Sequence, residues 1–141
     1  MSSRYAFLSM DLADAETLIA AAQEKAKSIN VRVTVAIVDD GGHLVALSRM
    51  DGANPMSPLI ATGKAVGAAL FRRDGAWLLS TANDRPAFWT AVKGMAGRDV
   101  VPGPGSLPIK RGDTVIGAIG VSGAAPNEDL ACAEAAVSSI G

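Results

Sequence analysis

The sequence predicts an α+β protein in which helices cover an antiparallel sheet. Three observations carry this. A long amphipathic helical pattern lies near the start, a run rich in β-branched residues then ends in a Gly-Gly turn, and a second apolar strand pattern precedes a last helical one. The 141 residues suit one domain spanning 1–141, a length at which folding buries roughly 70% of the unfolded surface. With 49% hydrophobic and 19% charged residues, the chain is not disordered as a whole. Aromatics are 4%, so the core must be built from small aliphatic side chains.

The elements follow in order. Leu12, Ala15, Leu18, Ile19, Ala22, Ala26 and Ile29 recur at three- and four-residue spacing, which predicts a helix over 11–29. Asp11 stands at its N-cap, Asp14 and Glu16 in its first turn, and Lys25 and Lys27 near its end, as the helix dipole prefers. The run 31–38 reads as a strand, Asp39-Asp40-Gly41-Gly42 as a tight turn, and 43–50 as the returning strand of a hairpin. Asp51-Gly52-Ala53-Asn54-Pro55 breaks that strand. Helical spacing returns over 57–73, where Gly63 and Gly67 lie four apart and admit a second backbone, and again over 75–82 and 86–95. The stretch 101–109, with three prolines and two glycines, reads as a stiff irregular loop. A buried strand over 115–121 and a helix from Pro126 to about 140 complete the chain.

Composition excludes several classes. A net charge of −1 leaves no basic footprint for nucleic acid. No apolar run approaches the length of a membrane span, and the opening residues lack the apolar core of a secretory signal, so a cytoplasmic protein is expected. One cysteine, Cys132, and one histidine, His43, exclude an internal disulfide and the usual multi-ligand zinc sites.

The motifs that invite chemistry have structural readings beside them. Gly117, Gly120 and Gly123 lack the spacing of either phosphate-binding fingerprint and fall inside a strand pattern, which favours close packing of the sheet. Gly120-Val121-Ser122-Gly123-Ala124 ends in alanine and has no histidine downstream, unlike a nucleophile elbow. His43, leaving the Gly-Gly turn, is either a solvated turn residue or an axial metal ligand or proton shuttle. Met50, Met56, Met95, Tyr5 and Cys132 are further candidate ligands of iron, with core filling the alternative for the methionines and for Cys132. Asp39, Arg49, Asp51 and Lys64 form the polar set of interest. Asp39 and Arg49 belong near opposite ends of the hairpin. Lys64, on an apolar helix face, is either a snorkelling surface residue or a cation aimed into a site.

The residues 38–45, Arg49-Met50-Asp51-Gly52, Lys64-Ala65, Leu107-Pro108-Ile109 and 115–123, in that order, resemble the GlcG/HbpS family. The haem-binding C-terminal domain of PduO-type adenosyltransferases is similar. The resemblance covers about residues 8–140, nearly the whole chain. It implies a profilin-like fold, a central antiparallel sheet flanked by helices, and assembly into homo-oligomers. It also implies haem binding in some members and neighbourhoods of small-acid catabolism in others. One departure lies in the loop, where Gly105-Ser106 replaces the Gly-Gly that members carry before the hydrophobic-Pro-Ile segment.

Two functions are therefore expected. In the first, an oligomer holds haem or a related tetrapyrrole, with His43 as the metal ligand and Asp51, Gly120 and Ser122 around the cofactor. In the second, a lyase, isomerase or tautomerase acts on a small carboxylic acid. Lys64 or Arg49 would hold the carboxylate, Asp39, Asp51 or His43 would move the proton, and Ser122 with the amides near Gly120 would stabilise negative charge. A third reading is an assembly protein whose motifs serve only fold and interface.

Overall fold

The computed structural model describes residues 9–140. Helix α1 runs over Leu12–Ser28, followed by strands β1 (Thr34–Asp39) and β2 (Leu44–Arg49). Helices α2 (Ser57–Phe71), α3 (Gly75–Asp84) and α4 (Pro86–Ala96) come next, then β3 (Ser106–Arg111), β4 (Thr114–Ser122) and α5 (Pro126–Ser139). The four strands form one antiparallel sheet in the order β2-β1-β4-β3. The expected α+β class and helix-flanked antiparallel sheet are present.

Capping chemistry sets the helix ends. The Asp11 carboxylate accepts from the Asp14 amide at 2.7 Å, as the expected N-cap should. Asp74 caps α3 in the same way, through the Trp77 amide at 2.8 Å. Helices α2, α4 and α5 each begin with proline in the first turn, where a missing N–H costs nothing.

The sheet separates two apolar layers. Val35, Ile37, Ile119 and Val121 pack with Leu18, Ile19 and Ala22 of α1 and Cys132, Ala133 and Ala136 of α5. On the opposite face Ala36, Val38 and Ala118 pack with Ala61, Ala65 and Ala68 of α2, Leu78 of α3 and Trp89 of α4. Strands β1 and β4 are central and covered on both faces, which is why both read as nearly unbroken apolar runs rather than alternating ones.

One element differs from expectation. The second half of the 101–109 segment is not loop: Ser106–Arg111 pairs with β4, Leu107 opposite Ile119 and Pro108 opposite Ala118. Proline is tolerated there because, among the described residues, β3 is an edge strand with a single neighbour, so no second ladder loses a donor. The prolines and glycines that signalled irregularity describe the approach to the strand, over 102–105.

Small residues set the distance between α2 and the sheet. A Cβ on Gly120 would lie 2.1 Å from the Ala61 carbonyl oxygen and 2.7 Å from the Ala65 nitrogen. A Cβ on Gly63 would lie 2.5 Å from a methyl of Val101, whose amide donates to the Gly63 carbonyl at 3.1 Å. The spacing of Gly63 and Gly67 thus admits the 100–101 segment against α2.

Gly120→Ala is expected to destabilise the fold by about 3 kcal/mol or more, because backbone rather than a flexible side chain must move. Gly94 lies within α4 with nothing within 4 Å of an added Cβ. Gly94→Ala is expected to stabilise by about 0.5–1 kcal/mol through helix propensity. Urea unfolding midpoints of the two variants check both signs.

Candidate functional site

The tip of the β1–β2 hairpin is held rigidly by polar contacts. The Asp39 carboxylate accepts from the Gly41 amide at 3.0 Å and the His43 amide at 2.9 Å. The Asp39 amide donates to the His43 carbonyl at 2.8 Å. Arg98, just beyond α4, donates to the Gly41 carbonyl at 2.7 Å and the Gly42 carbonyl at 2.9 Å. Arg72, at the left-handed C-cap of α2, donates to the Asp40 carbonyl. Two guanidinium groups therefore hold three successive turn carbonyls. Asp39 acts here as the cap of a turn.

His43 leaves this turn exposed. Its ring edge lies over Gly41, where an added Cβ would sit 3.2 Å from both Cδ2 and Nε2. No contact to either ring nitrogen is formed among the described residues. Beside it lies a cavity of about 350 Å³ between the hairpin tip and α2, walled by Leu44, Leu59, Thr62 and Val66 and bordered by Arg98. It adjoins a further space of about 200 Å³ that shares Leu59 and Asp99 and adds Met56, Ile60 and Lys93. Leu44 is 54%, Met56 55% and Leu59 62% exposed, so the walls present apolar surface to solvent.

The remaining candidates fall elsewhere. Arg49 and Asp51 line a cavity of about 500 Å³ at the opposite end of the hairpin, with Lys27 and Arg32. The register explains the separation: Arg49 pairs with Thr34 at the start of β1, whereas Asp39 ends it. Gly120 is covered by α2, and Ser122 is buried at the end of β4 opposite Thr34. Met50 packs against the α1–α5 layer, and Met95 is 77% exposed. Cys132 is buried, and burial pushes its thiol up to about 11, so it stays protonated and unreactive at neutral pH. Tyr5 lies outside the described residues.

Lys64 neither snorkels nor faces an open cavity. Its ammonium is buried, donating to the Val121 carbonyl at 3.0 Å and to the Asp129 carboxylate at 3.2 Å. The other Asp129 oxygen accepts from the Ala124 amide at 3.0 Å. Burial pushes the Asp129 carboxyl above its ordinary value of 3.8, against the opposing pull of Lys64 and the Ala124 amide. Sequence reasoning missed Asp129, Arg98 and Arg72. Asp129 stands in the first turn of α5, where dipole complementarity already accounts for a carboxylate. Its partner is 65 residues away. The arginines bind backbone carbonyls, which leave no signal in the side-chain pattern.

Lys64→Met strands the Asp129 charge and is expected to cost about 3–5 kcal/mol at neutral pH. A carboxyl whose folded value is raised contributes stability that is complete below its unfolded value and lost as pH rises through the folded one. The defect in Lys64→Met should therefore grow as pH rises above the ordinary carboxylate value of about 4. Lys64→Met/Asp129→Leu should recover most of the loss. Urea midpoints across a pH series measure both.

A family model described as haem degrading protein HbpS-like matches residues 10–138. Protein GlcG of Escherichia coli strain K12 is 41% identical over 109 residues, 77% of each chain. The crystal structure of the PduOC:heme complex superposes with a TM-score of 0.84 at 27% identity, covering 94% of this chain and 96% of that one. A double mutant of HbpS from Streptomyces reticuli gives the same TM-score of 0.84 at 27% identity, covering 100% of this chain and 90% of the other. No described helix is long and apolar enough to cross a membrane. Together with the helix-flanked four-stranded sheet, these matches establish that the chain belongs to the HbpS-like family.

Proposed function

We propose that the protein is an oligomeric binding protein for haem or a related tetrapyrrole, seated in the groove between the hairpin tip and α2. The observation that carries this reading is the exposed imidazole of His43, without a ring partner among the described residues, at the mouth of an apolar groove. A haem site needs a coordinating side chain and an apolar slot. His43 supplies the first, and Leu44, Leu59 and Val66 the second. Lys93, in the adjoining space, provides a cation for the carboxylates at the edge of such a ligand. Bound haem supplies a redox-active iron. The family model, described as haem degrading, and the haem complex formed by a structural neighbour support the same ligand class.

The turn is built to aim the ligand. Asp39, Arg72 and Arg98 fix the backbone around Gly41 and Gly42, so His43 projects from a rigid base. The groove is open on one side, and a second copy of the chain over it would cover the exposed Leu59 and Met56. That is the role we assign to oligomerisation. A small-acid lyase or isomerase that uses Lys64 as its cation or base has less support. The ammonium is held by Asp129 and Val121 and lines neither the cavity at His43 nor the one at Arg49.

Titration with hemin is expected to give a saturable, sharp Soret band at one equivalent per subunit. His43→Ala should shift or abolish it, and Leu59→Asp should weaken binding by roughly tenfold or more, since it places a charge against an apolar ligand. A featureless, non-saturating response would overturn the reading. A saturable band left unchanged in His43→Ala would remove His43 as the metal ligand.

A further inference from the structure

The cavity at the far end of the hairpin has a different chemistry. Its charged lining is Lys27 from the last turn of α1, Arg32 from the segment before β1, Arg49 from the end of β2, and Asp51 just beyond. Three cations thus face one space of about 500 Å³ with one carboxylate, on a chain of net charge −1. Among the described residues the ion pairs are Lys64–Asp129 and Arg111–Asp14, so none of the three cations has a carboxylate within 4.0 Å. The dipole of α1 accounts for Lys27 at its C-terminal end. It does not account for two arginines brought there by the loop and by β2.

The walls of this cavity are held in place. The Arg32 guanidinium donates to the Asp51 carbonyl at 2.7 Å and lies against Gly52, where an added Cβ would meet its Nη1 at 3.2 Å. The Gln23 amide donates to the Ser48 hydroxyl at 2.8 Å. The backbone is tied down by Met50 to Val33 at 3.0 Å and by Val31 to Ala26 at 2.9 Å. A guanidinium carries five donors. Arg32 uses one on this carbonyl, leaving the others free to face a ligand.

We propose that this cavity is a second binding site, for a small oxyanion: a carboxylate or a phosphate. The three exposed cations line it, and the Arg32 guanidinium, held on the Asp51 carbonyl, keeps donors that match the planar, bidentate geometry of such groups. The site is separate from the groove at His43, which lies at the other end of the β1–β2 hairpin. It stands whether or not haem binds there.

The test is calorimetric and thermal titration of the whole chain with acetate, malonate and inorganic phosphate, at constant ionic strength set with chloride. Saturable heat is expected, with a rise in Tm that follows ligand concentration. Response to the carboxylates alone assigns a carboxylate ligand, and response to phosphate alone assigns a phosphate one. Arg49→Met and Lys27→Met should each weaken binding by roughly tenfold or more. Lys110→Met, on β3, should bind as wild type does. Absence of a saturable response to all three probes overturns the proposal. So does a response of equal strength in wild type, Arg49→Met and Lys27→Met.

Discussion

The two helical layers lie on opposite faces of the sheet and are tied by one buried ion pair. Lys64 belongs to α2, on one face, and Asp129 to α5, on the other. Their contact passes the end of β4, where the ammonium also takes the Val121 carbonyl. Gly105 permits this: a Cβ there would lie 3.1 Å from the ammonium and 2.8 Å from the Val121 oxygen. The Gly105 carbonyl in turn accepts from the Val121 amide at 2.8 Å, so the loop into β3 is drawn into the same knot. Desolvating two charges is costly, and such a pair adds little net stability over an apolar equivalent. What it does is penalise every arrangement in which the layers are displaced, because each leaves a charge buried without its partner.

That constraint explains which parts of the structure were legible in the sequence. Helices α1 and α5 and the β1–β2 hairpin are written in local periodicity, caps and turn residues, all of which act over a few positions. The glycines of β4 were readable as packing features, since their spacing fits no phosphate fingerprint. Strand β3 was not legible, because Pro108 is acceptable only at a sheet edge and edge position is a property of the whole sheet. Asp129 was not legible as the partner of Lys64, because an acidic residue in a first helical turn already has a local reason to be there. The order of elements already indicated an antiparallel sheet covered by helices, and the family resemblance implied the same architecture, but neither placed the candidate residues relative to one another.

The polar residues that stood out in the sequence serve distinct ends. Asp39 caps a turn, Lys64 joins layers, and Arg49 and Asp51 stand beside a cationic cavity. The β1–β2 hairpin connects these roles by geometry alone. One of its ends carries His43 beside apolar walls, and the other gathers unpaired cations. A single element thus presents two surfaces of opposite character, one apolar and one cationic. The rigidity comes from main-chain anchors at both ends, so neither surface depends on the other being filled.

Pro108 has a consequence for assembly. A sheet can be extended by another chain only along an edge that still offers both donors and acceptors. On the β3 side, the proline removes a donor and the register shift between Ile109 and Lys110 breaks the regular spacing. The β2 side has no proline within its strand, though its pairing with β1 also shifts register, between Ile37 and Val38. Among the described residues, strand addition is therefore hindered more at β3, where an outward donor is missing, than at β2.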